Sequence, residues 1–259
     1  MMAARAMWKG VIRFGDVSVP VKLFSGIEDR DVHFRLLHRK DKFPVKQAMV
    51  NPESGEIVPY AETKRAFITD EGDLVMLERD ELDALEPEKS RDIDILHFLP
   101  RHEIDHRWYD RPYYLGPDGA SGDYFAMAAA LEHAQMEGLA HWVMRNKEYI
   151  GALRVHAGYP MLMSLRHAEQ VIPVESLEAP RGKPLDDREL SMARQLIAML
   201  EAKFEPEKYR DEYRERVLEM LEAKQAGESI KVVPFRRREP SEDLARALEA
   251  SLKQESRSA

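Results

Sequence analysis

The sequence predicts a mixed, mainly β fold: a barrel or sandwich of short strands followed by a helical arm. Many short apolar stretches alternate with turn-forming residues up to about residue 182, which is typical of antiparallel barrels and sandwiches. From about residue 183 the apolar residues recur at helical spacing instead. The 259 residues therefore divide into a β-rich core (1–182), a helical arm (183–227) and a polar tail (228–259).

The first half of the core is predicted to consist of hairpins. WKGVIRF (8–14) and VSVPVKLF (17–24) flank the turn pair Gly-Asp, and the second run alternates valine and leucine with other residues, as a half-buried strand does. Residues 39–65 are poor in apolar residues and hold the turn signal NPESG (51–55), which predicts a long polar hairpin. RAFIT, DEGD and LVML predict another hairpin directly after it.

The second half of the core is predicted to contain two helices and a meander. ERDELDAL (78–85) favours a short helix and DIDILHFL (92–99) a strand. The Ala-rich run GDYFAMAAALEHAQMEG predicts a helix that ends at Gly138. Three strand-like runs with turns at Asn146-Lys147 and Gly158 then predict a β-meander.

The helical arm is predicted to contain two amphipathic helices. Asp186 or Asp187 is placed to cap the first helix, and Pro206, a favoured first-turn residue, begins the second, which ends at Gly227. The stripes of both helices need a partner surface, which is either the β-rich core or another subunit. The stripe of the second helix comprises Tyr209, Tyr213, Val217, Met220 and Leu221.

Composition and charge limit the class of protein. The absence of cysteine excludes disulfides, thiol nucleophiles and cysteine-ligated metals, and it fits a reducing cytoplasm. The first ten residues lack the apolar stretch of a secretory signal, and no run approaches the roughly 18 apolar residues of a membrane span, so we expect a cytoplasmic protein with no membrane partner. The net charge is −8, but residues 1–50 carry 10 Lys and Arg against 5 Asp and Glu. A local basic surface of this kind leaves a nucleic-acid partner possible.

Basic residues gather on or beside the long polar hairpin. One interpretation is a solvated β-arm, and the other is an arm that contacts DNA phosphates irrespective of sequence. The candidate residues are Arg35, Arg39, Lys40, Lys42, Lys46, Lys64 and Arg65.

One stretch matches the zinc-hydrolase pattern H-E-x-x-H. The pattern requires a helix that brings His102 and His106 onto one face. Pro100 and Pro112 flank the stretch, aromatic residues that favour strands follow it, and a third histidine is missing at the metzincin spacing. We therefore expect both histidines to lie on or near a strand and expect no metal, no cofactor and no catalytic residue. P-loop, G-x-S-x-G and G-x-G-x-x-G patterns are absent as well.

The tail holds the amphipathic segment SEDLARALEASLK (241–253). It is either a frayed, solvated helix or a helix that docks into a groove of a partner. Its apolar stripe comprises Leu244, Ala247, Leu248 and Leu252.

Four stretches together resemble bacterial Ku proteins, in the same order and over residues 5–230. They are AMWKGVIRFGDVSVPVKLFSGIEDRDVHFRLLH, RPYYLGPD, ALEHAQMEGLAHWVMRNKEYIGALR and KFEPEKYRDEYRERVLEMLEAKQAG. The resemblance implies a Ku-type β-barrel without enzymatic activity, which forms a homodimeric ring around double-stranded DNA ends in non-homologous end joining and is therefore nucleoid-associated. It also implies that the region 35–70 is the bridge hairpin that closes the ring and touches the DNA backbone.

The resemblance also assigns partners to the C-terminal half. The helical arm embraces the other subunit through Tyr209, Tyr213, Val217 and Leu221, and the tail recruits the ATP-dependent DNA ligase D through Leu244, Leu248 and Leu252. Two features depart from some bacterial relatives: the bridge region lacks a Cys-rich, metal-site-like stretch, and the tail is not Lys-rich. A protein-interaction scaffold without end specificity, or a zinc hydrolase, is the alternative function.

Overall fold

A closed seven-stranded barrel forms the centre of the computed structural model, which describes residues 5–119, 121–178 and 186–227. The barrel order is β1-β2-β6-β9-β8-β7-β5, in which β1 and β5 are parallel and the other described pairs are antiparallel. The predicted mixed, mainly β barrel is confirmed. The strands are β1 Trp8–Phe14, β2 Val17–Ser25, β5 Asp92–Pro100, β6 Tyr109–Pro117, β7 Met136–Met144, β8 Lys147–His156 and β9 Tyr159–Leu165.

The barrel closes because its strands carry alternating apolar residues and tight turns. In β2, Val19, Val21 and Leu23 are almost fully buried while their neighbours are not. Left-handed backbone at Arg145 and Asn146 makes the β7–β8 turn, one residue before the predicted pair Asn146-Lys147, since Lys147 already begins β8. The barrel core includes Ile12, Ile93, Leu115, Trp142, Leu153 and Leu162.

Helix α2, Gly122–Ala134, packs against β2, β7 and β8 and extends the core. Its Tyr124 hydroxyl donates a 2.7 Å hydrogen bond to the Leu115 carbonyl, and burial raises the pKa of this hydroxyl to about 12. The helix ends at Gln135, whose φ of +53° breaks it, and the predicted end at Gly138 is wrong. Gly138 instead lies in β7, where a Cβ would come within 3.0 Å of Ile95.

The bridge segment, residues 35–70, lies outside the barrel. The chain reverses at the predicted turn 51–55, where Val50 pairs with Ile57 and the Val58 amide donates to the Met49 carbonyl at 2.9 Å. The strand pairing is limited to the isolated bridges Leu37–Pro44 and Val50–Ile57, so the hairpin has no extended ladder. A two-stranded sheet follows, formed by β3 Arg65–Ile68 and β4 Leu74–Leu77, which confirms the second predicted hairpin. In the bridge segment itself, Pro44, Pro52 and Pro59 cannot donate backbone hydrogen bonds, which limits strand pairing there. Helix α1, Arg79–Ala84, confirms the short predicted helix.

The described part of the helical arm contains α3, Asp187–Met199, and α4, Glu212–Gln225. Asp186 caps α3, since its carboxylate accepts a 2.8 Å bond from the Glu189 amide. Pro206 begins only a single 3₁₀ turn, and α4 begins after Asp211, so the start predicted for the second helix is wrong.

The chain separates into two compact units. Among the described residues, one unit comprises 5–30 and the part of 35–176 that the structure describes, and the other comprises 31–34, 177–178 and 186–227. The boundary expected at residue 182 and the tail segment 241–253 both lie outside the described residues, so these two expectations remain predictions.

Candidate nucleic-acid interface

Five of the seven predicted phosphate-contacting residues lie in a short arm at the start of the bridge segment. Residues 35–46 contain five Lys and Arg and a single carboxylate, that of Asp41. The Val45 amide donates to the Leu36 carbonyl at 3.1 Å and closes the base of this arm. All five basic residues, Arg35, Arg39, Lys40, Lys42 and Lys46, are exposed.

The tip of this arm is a six-residue turn, 38–43, which we call the cation turn. It brings Arg39, Lys40 and Lys42 together. The His38 amide donates to the Phe43 carbonyl and the Lys42 amide donates to the His38 carbonyl, both at 2.8 Å. The three basic side chains make no ion pair or side-chain hydrogen bond with any residue that the structure describes. They are therefore available to an anionic partner.

Lys64 and Arg65 lie apart from the cation turn in sequence, at the start of the β3–β4 hairpin. The ammonium of Lys64 is 2.5 Å from Glu78 Oε1, and this bond raises the pKa of Lys64. Arg65 is exposed and has no such bond to a described residue. A phosphate must compete with Glu78 for Lys64 but not for Arg65.

The bridge segment and its β3–β4 hairpin also expose many apolar side chains. No residue from 24 to 92 is buried, although the stretch is rich in large hydrophobics. Large apolar side chains that are exposed throughout one stretch of chain make this stretch a candidate surface for a protein partner. In the bridge segment and its hairpin, the large hydrophobic side chains that are at least 45% exposed are Leu36, Leu37, Phe43, Val45, Met49, Val50, Ile57, Tyr60, Phe67, Ile68, Leu74, Val75 and Met76.

The predicted dimer residues of the arm fall into two groups. Tyr213 is exposed, as is Tyr209, which stacks on Phe204 at 5.5 Å between ring centroids. Val217 is only 6% exposed and Leu221 is half-buried. Tyr209 follows the 3₁₀ turn and precedes α4, so it does not share a helical stripe with Val217.

H-E-x-x-H does not lie on a helix. His102 has a φ of +76° in the turn after β5, and His106 begins the 3₁₀ turn His106–Trp108. Asp105 caps that turn through the Arg107 amide, and Arg107 holds the pKa of Asp105 below its usual range. Within 5–119, 121–178 and 186–227, no three His, Asp or Glu side chains are grouped to hold a metal. The stretch is a β5–β6 connection, as expected.

Sequence reasoning missed two features near these sites. The first is the bond between His38 and Asp41 inside the cation turn, which becomes visible only once the turn has folded. The second is an ion pair in the barrel between the fully buried Glu137 and the partly exposed Arg154, whose Nε lies 3.2 Å from Glu137 Oε2. As for membranes, no helix in the part of the chain that the structure describes is long and apolar enough to cross a bilayer.

Comparison with known proteins identifies the family. The model of the Ku70/Ku80 beta-barrel domain matches residues 13–192. The chain is 36% identical to non-homologous end joining protein Ku 2 of Geotalea uraniireducens, over 97% of this chain and 99% of that protein. Its identity to the Ku protein of Coxiella burnetii is 36%, over 89% and 86%, and to that of Mycobacterium tuberculosis 32%, over 98% and 96%. With a closed barrel and a matching family model, the chain belongs to the Ku family of non-homologous end joining proteins.

Proposed function

We propose that the chain is one subunit of a homodimeric ring that binds double-stranded DNA ends without sequence specificity. The observation that carries this proposal is the arm of residues 35–46, with five exposed basic side chains on a chain of net charge −8. A duplex presents the same phosphates whatever its sequence, so this arm provides affinity without base recognition. Membership of the Ku family supports a role in end joining and an interpretation of the chain as a non-enzymatic protein.

The homodimer is supported by exposed apolar surface on two separate elements. The bridge segment leaves all of its large hydrophobics unburied, and no residue of α3 is buried either. Leu200, Phe204, Tyr209 and Tyr213 add exposed apolar area to the helical arm. A second copy of the chain would cover these surfaces, and closing a ring in this way would confine a duplex without requiring base contacts.

The tail is proposed to recruit ATP-dependent DNA ligase D through Leu244, Leu248 and Leu252. Deleting residues 241–259 should leave the affinity for linear duplex unchanged and abolish stimulation of the ligase. Both are measured with the same purified protein, by fluorescence anisotropy and by a ligation time course. The variant Glu249→Ala, on the polar side of the segment, serves as the control and should keep full stimulation. Stimulation that survives the deletion would remove the tail from the proposal.

The scaffold alternative is separated from this proposal by one binding assay. A protein-interaction scaffold without end specificity would not bind a short linear duplex at physiological salt. The end-binding protein should bind duplexes of unrelated sequence equally, and its affinity should fall as salt rises.

A further inference from the structure

The only carboxylate of the arm 35–46 lies inside the cation turn, between Lys40 and Lys42. On charge alone, Asp41 should repel the phosphates that its neighbours attract. Its position therefore calls for a physical reason other than local charge, and the contacts of the turn supply one.

Two bonds converge on one oxygen of Asp41. Oδ1 lies 2.9 Å from His38 Nδ1 and accepts a 3.1 Å hydrogen bond from the Phe43 amide. These contacts join the first and last residues of the cation turn through a single side chain. Together with the two backbone bonds of 2.8 Å, they hold the turn closed even though every one of its residues is exposed.

The backbone of the turn is in a conformation that needs such support. Lys42 has a φ of +60°, which is uncommon for a residue with a side chain. The Lys42 amide is bonded to the His38 carbonyl and the Phe43 amide to Asp41, and these two bonds hold the conformation of Lys42. They thereby also fix the position from which the lysine side chain extends. An exposed loop without these bonds would have to order its backbone when DNA binds, at a cost in conformational entropy.

We propose that Asp41 and His38 are positioning residues that preorganise the cation turn for contact with DNA phosphates. The inference rests on the proposed DNA-binding function. Arg39, Lys40 and Lys42 provide the positive charge. The bond between Asp41 and His38, which we call the brace, fixes where that charge lies. Asp41 thus favours DNA binding despite its own negative charge.

The brace operates under ordinary assay conditions. The bond to His38, and to a smaller extent the hydrogen bond from the Phe43 amide, hold the pKa of Asp41 below its usual range. The carboxylate is therefore charged at neutral pH. Its contribution to the closed turn is therefore present above the ordinary carboxyl pKa and is lost as the pH falls through the lowered value.

The decisive variant is Asp41→Asn, which removes a negative charge and weakens the brace. We expect it to bind a linear duplex roughly 3- to 10-fold more weakly, because the amide oxygen of asparagine forms weaker bonds with His38 and the Phe43 amide than the charged carboxylate does, and preorganisation of the turn is reduced. A purely electrostatic role predicts tighter binding instead. Glu53→Gln is the matched control, since it removes the same charge from a bridge residue whose side chain makes no bond to the described residues, and it should bind as well as the parent protein or better.

His38 provides a second variant pair and a spectroscopic readout. His38→Ala should weaken binding as Asp41→Asn does, whereas His38→Asn keeps an N–H donor and should restore most of the affinity. The ¹⁵N signal of His38 Nδ1 should be that of a protonated, hydrogen-bonded nitrogen in the parent protein and should shift in Asp41→Asn. A melting temperature unchanged across these variants would show that the fold is intact.

Two further variants separate the failure of this inference from the failure of the proposed function. If Arg39→Ala and Lys40→Ala weaken binding while Asp41→Asn strengthens it, the brace is refuted and the phosphate-contacting turn remains. If neither cation variant changes the affinity, the cation turn does not touch DNA, and the proposed site fails along with the brace.

Discussion

Six cations of the bridge segment make no ion pair with a described residue. Their joint replacement by alanine should lower the affinity for linear duplex by on the order of 1,000-fold at physiological salt. Each phosphate that a cation neutralises releases condensed counterions, so the slope of log K against log salt should become shallower by about 0.9 for every such cation removed. Anisotropy titrations across a salt series measure both quantities. The six residues are Arg35, Arg39, Lys40, Lys42, Lys46 and Arg65.

Neighbouring single variants provide the control for this prediction. Lys64→Ala and Arg65→Ala remove the same charge from adjacent residues, but only Lys64 is bonded to Glu78. Arg65→Ala should therefore flatten the salt slope more than Lys64→Ala does. An unchanged slope in the six-residue variant would show that the phosphate contacts lie elsewhere on the chain.

The double variant Leu200→Glu, Tyr213→Glu should convert the proposed homodimer into a monomer. The two side chains are 57% and 69% exposed in the single chain, so their replacement should leave its folding almost unchanged. Burying a carboxylate at each position of an interface should cost about 4 kcal/mol in total, which weakens the dimer roughly 1,000-fold. Sedimentation velocity over a concentration series measures this loss.

Leu85→Glu is the matched control for the dimer prediction. Leu85 is 80% exposed and lies at the end of α1, outside both apolar surfaces assigned to the dimer. It should leave the dimer intact. A double variant that sediments as a stable dimer would contradict the role of the helical arm and leave the bridge segment as the sole candidate interface.

The barrel could be predicted from local signals because each of its strands carries its own pattern. The alternating valines of β2 and the tight turn at Asn146 are visible in a few residues of sequence. The end of α2 could not be predicted, since Gln135 adopts a left-handed conformation that glycine usually takes, while Gly138 is needed for close packing against Ile95. Tertiary packing therefore determines that α2 ends at Gln135 and not at Gly138.

The candidate site could be predicted only as a set of charges. The spacing of Arg39, Lys40 and Lys42 suggests a basic arm, but the sequence does not show that one turn joins them or that Lys64 is bonded to Glu78. In the helical arm, periodicity alone places Tyr209 and Val217 on one stripe, although Asp211 caps α4 between them. The buried state of Val217 likewise depends on packing that no local pattern records.

Loading on DNA ends tests the central claim most directly. A ring must thread onto a duplex, so the protein should bind a plasmid that has been cut once and should not bind the same plasmid as a closed circle. Blocking both ends of the cut plasmid with a bulky tethered protein should abolish binding again, while net DNA charge and sequence stay the same. Measured across a salt series, strong binding to the cut plasmid alone is the predicted result. Equal affinity for the closed circle and the cut plasmid would contradict a ring that binds DNA ends.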